Sequence, residues 1–216
     1  MHGGLRWWVR GVAYVVFALS CAAVAVYAFK FLYGPVQPGN PLQVKFALSG
    51  WNVPAHFFFG GAALLLAPLQ VNAWLRGRWP RVHRVGGWLY AGCVLVGGVG
   101  ALTMAPQAQG GFVTASAFTL LALLWIATTA IGIGQAIAGD IARHRRWMWR
   151  SVALTASAVT LRLILGLGLG VLHAPFMPVY IVAAWGCWTI NLALCELWLR
   201  RRSAGGRRSG SVPTAA

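Results

Sequence analysis

The chain has 216 residues, of which 59% are hydrophobic and only 9% charged. A soluble domain carries roughly a quarter charged residues, so this composition excludes a large soluble domain and indicates a multi-pass membrane protein. Lys and Arg number 18 against two acids, a net charge of +16. In a soluble chain that balance would suggest nucleic acid. Here the cations sit in short loops between apolar runs, where topology and anionic lipid headgroups account for them, and no nucleic-acid partner is expected.

Six apolar runs approach the ~20 residues needed to cross a hydrocarbon core. They fall at 11–33, 51–75, 85–105, 112–138, 148–172 and 176–199. The first is too long for a signal-peptide core and lacks a small-residue cleavage site, so it is read as a span. The second contains Pro54 and Pro68 and is expected to bend. Between them, "GPVQPGNPLQVKFALSG" (34–50) reads as an outer loop, either lid or connector. The expectation is an all-α, polytopic bundle of six transmembrane helices over residues 1–202, followed by a disordered basic tail, 203–216.

The basic residues alternate by side. Arg6 and Arg10 precede the first run. Arg76, Arg78, Arg81 and Arg84 follow the second, and Arg143, Arg145, Arg146 and Arg150 follow the fourth. The tail has Arg200, Arg201, Arg202, Arg207 and Arg208, whereas the opposite side has only Lys30 and Lys45. This asymmetry places both termini in the cytoplasm. Tryptophans at the run ends, such as Trp7, Trp51, Trp79 and Trp198, suit interfacial anchors. Cys21, Cys93, Cys187 and Cys195 lie inside apolar runs without a CxxC and read as small buried residues.

Polar side chains in a membrane helix mark an interior or a cavity. At 100° per residue, one stripe of the fifth run carries His144, Ser151, Thr155, Arg162 and His173. In the second run Asn52, His56, Ala63 and Gln70 share a line, and in the third His83, Gly87, Tyr90 and Gly97 do. Glycines on that face admit a neighbouring helix or a flat cofactor. Arg162 lies about 15 Å from the outer end of its helix, too deep to snorkel comfortably. An intramembrane cation is a functional-site hypothesis by default. The two acids, Asp140 and Glu196, belong to the cytoplasmic end and should not reach it. Its counter-charge is then carbonyls, hydroxyls and water, or an anion from outside the chain. Arg162, Asn52 and Arg150 are the candidate anion-binding residues.

The histidines suggest a second chemistry. His83-Arg84 and His144-Arg145 form a repeated pair, each entering an odd-numbered helix. A bis-histidine haem needs two imidazoles from facing helices. His83 and His144 are the candidate axial ligands for a haem b, with Arg84 and Arg145 near its propionates. His56 and His173 form a candidate outer pair. The competing reading of the His-Arg pairs is an interfacial cap on lipid phosphate. No carboxylate or thiolate joins the histidines, so no other metal site is expected.

The stretches "HFFFGGAALLLAPLQ", "RGRWPRVHRVGGWLY" and "HRRWMWRSVALTASAVTLR" resemble an uncharacterised membrane family, domain-of-unknown-function family 2306. The resemblance spans roughly residues 50–165 and implies a multi-helix protein of the bacterial-type inner membrane. The helix count and paired histidines also resemble the two-haem b cytochromes in architecture. This sequence departs from them in having no histidine in its fourth run.

Three functions follow as expectations. One is a membrane b-type cytochrome moving electrons to or from a redox partner. Another is binding or transport of an anionic lipid or small acid at an Arg162/His56 pocket. The third is a non-catalytic assembly factor docked on anionic lipid. Hydrolase chemistry lacks a Ser-His-Asp set.

Overall fold

The computed structural model describes residues 2–34 and 50–208; the expected 34–50 loop, except its end residues, and the chain after Arg208 lie outside the described residues. Within them the chain is helical from end to end: α1 (His2–Tyr33), α2 (Asn52–Val71), α3 (Ala73–Arg78), α4 (Pro80–Met104), a 3₁₀ turn (Ala105–Gln107), α5 (Gly111–Ile137), α6 (Ile141–Thr155), α7 (Ser157–Leu165), a π-helical segment (Gly166–Val171) and α8 (Phe176–Arg208). Six stretches among the described residues are long and apolar enough to span: 7–33, 52–71, 80–107, 111–137, 141–171 and 176–203. They match the six expected runs, and an even number of spans returns both chain ends to one side.

The helices start and stop for local reasons. Asn72 ends the second span, and its side chain caps α3 by accepting from Leu75 N at 3.0 Å. Pro80 opens α4, where its missing N–H costs nothing. Gly139, at φ +81°, reverses the chain between α5 and α6. Asp140 then caps α6, accepting from Arg143 N at 2.8 Å. The fifth span begins well before its apolar run, because Arg and Trp on its first turns are tolerated at an interface. The last helix also outruns its apolar run, and continues to Arg208 rather than ending at Arg202.

The fifth span is not one helix. Ala156 interrupts it, flanked by Thr155, which donates to Ser151 O at 3.0 Å, and Ser157, which donates to Ala153 O at 3.4 Å. Hydroxyls bonded back in this way bend helices. Beyond Leu165 the helix widens into the π segment.

Neighbours along the chain pack together: α1 on α2, α2 on α4, α4 on α5, α5 on α6 and α7 on α8, while α1 also touches α7. Small residues set the separations, as membrane packing requires. A Cβ on Gly100 would stand 2.9 Å from Asn52 O and 3.0 Å from His56 N, so α4 rests on the backbone of α2 there. The glycine face of α4 therefore serves helix packing. The core gathers Ala63, Ala67, Tyr90, Val94, Trp125, Val152, Leu154, Cys187 and Trp188. All four cysteines are free thiols, with Cys21 and Cys187 buried.

Candidate functional site

A cavity of about 270 Å³ lies where α1, α2, α4, α5 and the α6–α7 bend converge. It occupies the half of the bundle away from the arginine-rich loops, since it takes the start of α2, the end of α4 and the first half of α5. Its walls are mostly aliphatic and aromatic, including Val24, Phe57, Leu64, Met104, Phe118 and Leu161. The polar groups on it are His56, Trp125, Thr155, Ser157 and Arg162. An apolar pocket with a few convergent polar groups is the usual form of a small-molecule site.

Arg162 is the cation of this cavity. Its Nη1 donates to Ala158 O at 2.8 Å, a carbonyl of its own helix, so this bond does not staple it to a neighbour. Its guanidinium carbon sits 5.0 Å from the centroid of the Tyr27 ring, on α1. Its Nε is buried with no hydrogen-bond partner. Both acids are committed elsewhere. Asp140 caps α6 and contacts Arg143 Nε at 3.3 Å. Glu196 takes Arg150 in a two-point pair, Nε to Oε1 at 2.5 Å and Nη2 to Oε2 at 3.0 Å. The expectation that neither acid reaches Arg162 agrees with this placement.

His56 lines the same cavity wall as Arg162. Its Nδ1 lies 2.9 Å from Gly97 O. A carbonyl only accepts, so Nδ1 carries the hydrogen and Nε2 is the ring's second polar atom. The close approach of α4 through Gly97 and Gly100 makes this bond possible and fixes the ring.

The inner end of the cavity is closed by a buried hydroxyl network. Thr155 Oγ1 donates to Ser151 O, so it accepts from Trp125 Nε1 at 2.8 Å and from Tyr90 Oη at 2.6 Å. Tyr90 Oη in turn lies 2.8 Å from Ser151 Oγ, which lies 2.6 Å from Thr129 Oγ1. Three helices are joined in this way, and every member is buried.

The other sequence-predicted residues are distributed as follows. His83 and His144 both stand at the basic end, near the starts of α4 and α6. The Nδ1 of His144 lies 2.7 Å from Gly132 O. Beside His83, the Gln70 amide, oriented to suit its neighbours, lies 3.3 Å from His83 Nδ1, His83 O and Gly87 N. Gln70, not open space, meets Gly86 and Gly87 of α4. The cavity described above is not between these histidines. Arg84 and Arg145 are exposed.

Three expected groupings are corrected. His173 does not join His56: it is exposed, with φ +50°, and its Nδ1 turns to Val171 O at 3.1 Å. The bend at Ala156 and the i+5 bonding of the π segment break the 100° count on which the stripe relied. Arg150 is held by Glu196 and stacks on Trp147 at 4.7 Å, so it is not at the anion cavity. Asn52 is absent from the cavity wall; its buried Oδ1 has no partner, and its backbone supports Gly100 instead.

Sequence reasoning missed Tyr27, Trp125 and the pairing of Arg150 with Glu196. Trp125 carried a signal. It sits at the middle of a 27-residue span, far from the interface where tryptophan normally anchors, and a buried indole needs an acceptor.

The fold and site together define a class: a polytopic α-helical membrane protein whose bundle encloses a mostly apolar cavity with one deep cation. Residues 53–199 match the family described as predicted membrane protein, DUF2306. The chain belongs to that family. No curated protein and no solved structure shows significant similarity to it.

Proposed function

We propose that the protein binds the carboxylate or phosphate of an anionic amphiphile or small acid in this cavity, with Arg162 as its counter-charge and His56 as a second polar contact. The supporting observation is the buried, partnerless Nε of Arg162 facing a chain whose two acids are engaged elsewhere. A guanidinium offers five donors in a planar fork suited to carboxylate or phosphate. Removing it from water without a counter-ion is unfavourable, and an anion in the cavity relieves that cost. The apolar walls then suit the body of the ligand. The positive-inside pattern orients the cavity toward the outer half of a bacterial-type inner membrane.

The test is thermal unfolding of the purified protein with a panel of fatty acids, lysophospholipids and short carboxylic acids. Ligands that bind the native state raise the midpoint, and increasingly so as their concentration exceeds Kd. At least one anion should raise it for the wild type and fail to do so for Arg162→Gln. If no anion of either kind shifts the wild type, the reading is wrong.

A second reading, a haem b between His83 and His144, draws on their place at the same end of the bundle and on the Nδ1 contact of His144, which leaves Nε2 as its second ring nitrogen. Gln70 beside His83 and the distant cavity weigh against it. Oxidised and dithionite-reduced spectra of the detergent-purified protein discriminate: a Soret band that is lost in His144→Ala favours haem.

A further inference from the structure

Arg162 is not sealed in the middle of the bundle. It is only half-buried, and the next residue, Leu163, is 66% exposed on the surface of a membrane-spanning helix. The guanidinium therefore sits at an edge of the bundle, at the seam between α1 and α7. Its cover on that edge is the ring of Tyr27, itself 55% exposed.

The seam is packed toward the basic end and, among the described residues, less so toward the other. On the basic side, Cys21, Val24 and Ala25 of α1 pack with Leu64 of α2 against Ala158 and Val159. These are small or compact groups in direct contact. One turn beyond Arg162 the helix still packs on α8, through Gly168 against Val179. A Cβ added to Gly166 or Gly170, on other faces of that segment, would meet nothing within 4 Å among the described residues. The π segment that begins there widens the helix and carries only Gly, Leu and Val. Val24, one turn before Tyr27, and Ala28, the residue after it, line the cavity. The inner face of α1 at this level is thus cavity wall, while Tyr27 on its flank meets the bilayer.

Resting on the cavity as an anion site, we infer that the Tyr27–Arg162 seam is a lateral portal, by which the cavity takes its ligand from the lipid phase as the carboxylate or phosphate end of a single-chain amphiphile. The acidic head passes Tyr27 and exchanges the ring's π-face for Arg162's Nε and free donors, a stronger partner than an aromatic quadrupole. The chain trails along the glycine-lined opening toward the surrounding acyl chains. A cavity of about 270 Å³ accommodates a head and the first part of one chain. Lys30, exposed one turn beyond Tyr27, adds a positive charge on the approach from the headgroup layer. A water-soluble acid would need none of these features.

The experiment uses the full-length protein in nanodiscs of zwitterionic lipid, with cis-parinaric acid as the probe and energy transfer from tryptophan as the readout. Three comparisons are made: the acid against its methyl ester, the acid against an excess of butyrate or benzoate, and wild type against Tyr27→Ala and Arg162→Gln. The expected result is saturable binding of the acid, at least tenfold weaker binding of the ester, no displacement by the short acids, and at least tenfold weaker binding to Arg162→Gln. Tyr27→Ala should raise the association rate severalfold by removing the cover. The ester comparison needs no variant, so it stands even if Arg162→Gln folds poorly. Equal binding of acid and ester overturns the portal. So does an association rate unchanged or lowered in Tyr27→Ala. Tight binding of the short acids without the long one overturns the portal and leaves the anion site standing. Binding of neither class overturns both.

Discussion

Arg150 and Glu196 join the fifth and sixth spans through a two-point ion pair, Nε to Oε1 at 2.5 Å and Nη2 to Oε2 at 3.0 Å. The pair is partly shielded, its side chains 22% and 35% exposed, and Trp147 lies against the guanidinium. Its contribution should fall between the ~1 kcal/mol of an exposed pair and the ~3–5 kcal/mol lost when one partner of a buried pair is removed. Glu196→Gln should therefore destabilise by about 2 kcal/mol, seen as a lower unfolding midpoint in detergent. Because the two charges act together, adding Arg150→Met to Glu196→Gln should cost little more. Strictly additive losses would show that the pair is not coupled.

The hydroxyl network predicts an order of severity. Thr155→Val keeps the shape but removes the acceptor of both Trp125 Nε1 and Tyr90 Oη. Tyr90 retains Ser151 as an acceptor, whereas the indole N–H loses its 2.8 Å acceptor. Tyr90→Phe removes only one member, and Ser151 retains Thr129. A buried donor left unpaired costs about 1–3 kcal/mol, and membrane hydrogen bonds average nearer 0.6 kcal/mol. Thr155→Val should thus lower the unfolding midpoint more than Tyr90→Phe, with Trp125 emission shifting only in the former.

The helix seam between α2 and α4 yields a paired test. At Gly100 a methyl group meets Asn52 O at 2.9 Å and His56 N at 3.0 Å, both backbone atoms that cannot swing aside. At Gly92, on the same helix, it meets nothing within 4 Å. Gly100→Ala should cost about 1–3 kcal/mol as α2 is pushed away. It should also weaken any ligand response of the cavity, because His56 moves with its backbone. Gly92→Ala should be neutral or slightly stabilising, by up to about 1 kcal/mol of helix propensity. Equal effects at the two sites would argue against a close α2–α4 contact.

What the sequence made legible follows from what is local. Each span announced itself through its apolar run, and 3.6-residue periodicity placed Ser151, Thr155 and Arg162 on one inward stripe as far as the helix stays regular. The count failed for His173 because a bend and a π segment intervene, and no residue type there signals i+5 bonding. Gly87 and Gly97 were recognised as points of approach, but not which partner would approach: Gln70 for one, the backbone of α2 for the other. The cavity itself depends on α1 reaching α7, a contact between chain-distant helices. Local periodicity carries no information on it, so Tyr27 could not be paired with Arg162 in advance.

Arg162 gives the sharpest separation of stability from function. A residue kept only for packing should destabilise when removed. A residue kept for a ligand is a burden on the empty protein: its Nε is buried without a partner, and its one carbonyl contact belongs to its own helix. Arginine near the centre of a spanning helix is unfavourable by about 2.5–3.5 kcal/mol on insertion scales, and the hydrogen bond to Ala158 O and the contact with the Tyr27 ring recover only part of that. Arg162→Met keeps the length and apolar stem without the charge. In protein freed of lipid it should raise the unfolding midpoint, by the equivalent of about 1–2 kcal/mol. The same variant should lose the stabilisation that an anionic amphiphile confers on the wild type. Destabilisation of the ligand-free protein by Arg162→Met would instead make the arginine a structural clasp, since only a net favourable set of internal contacts is lost on its removal.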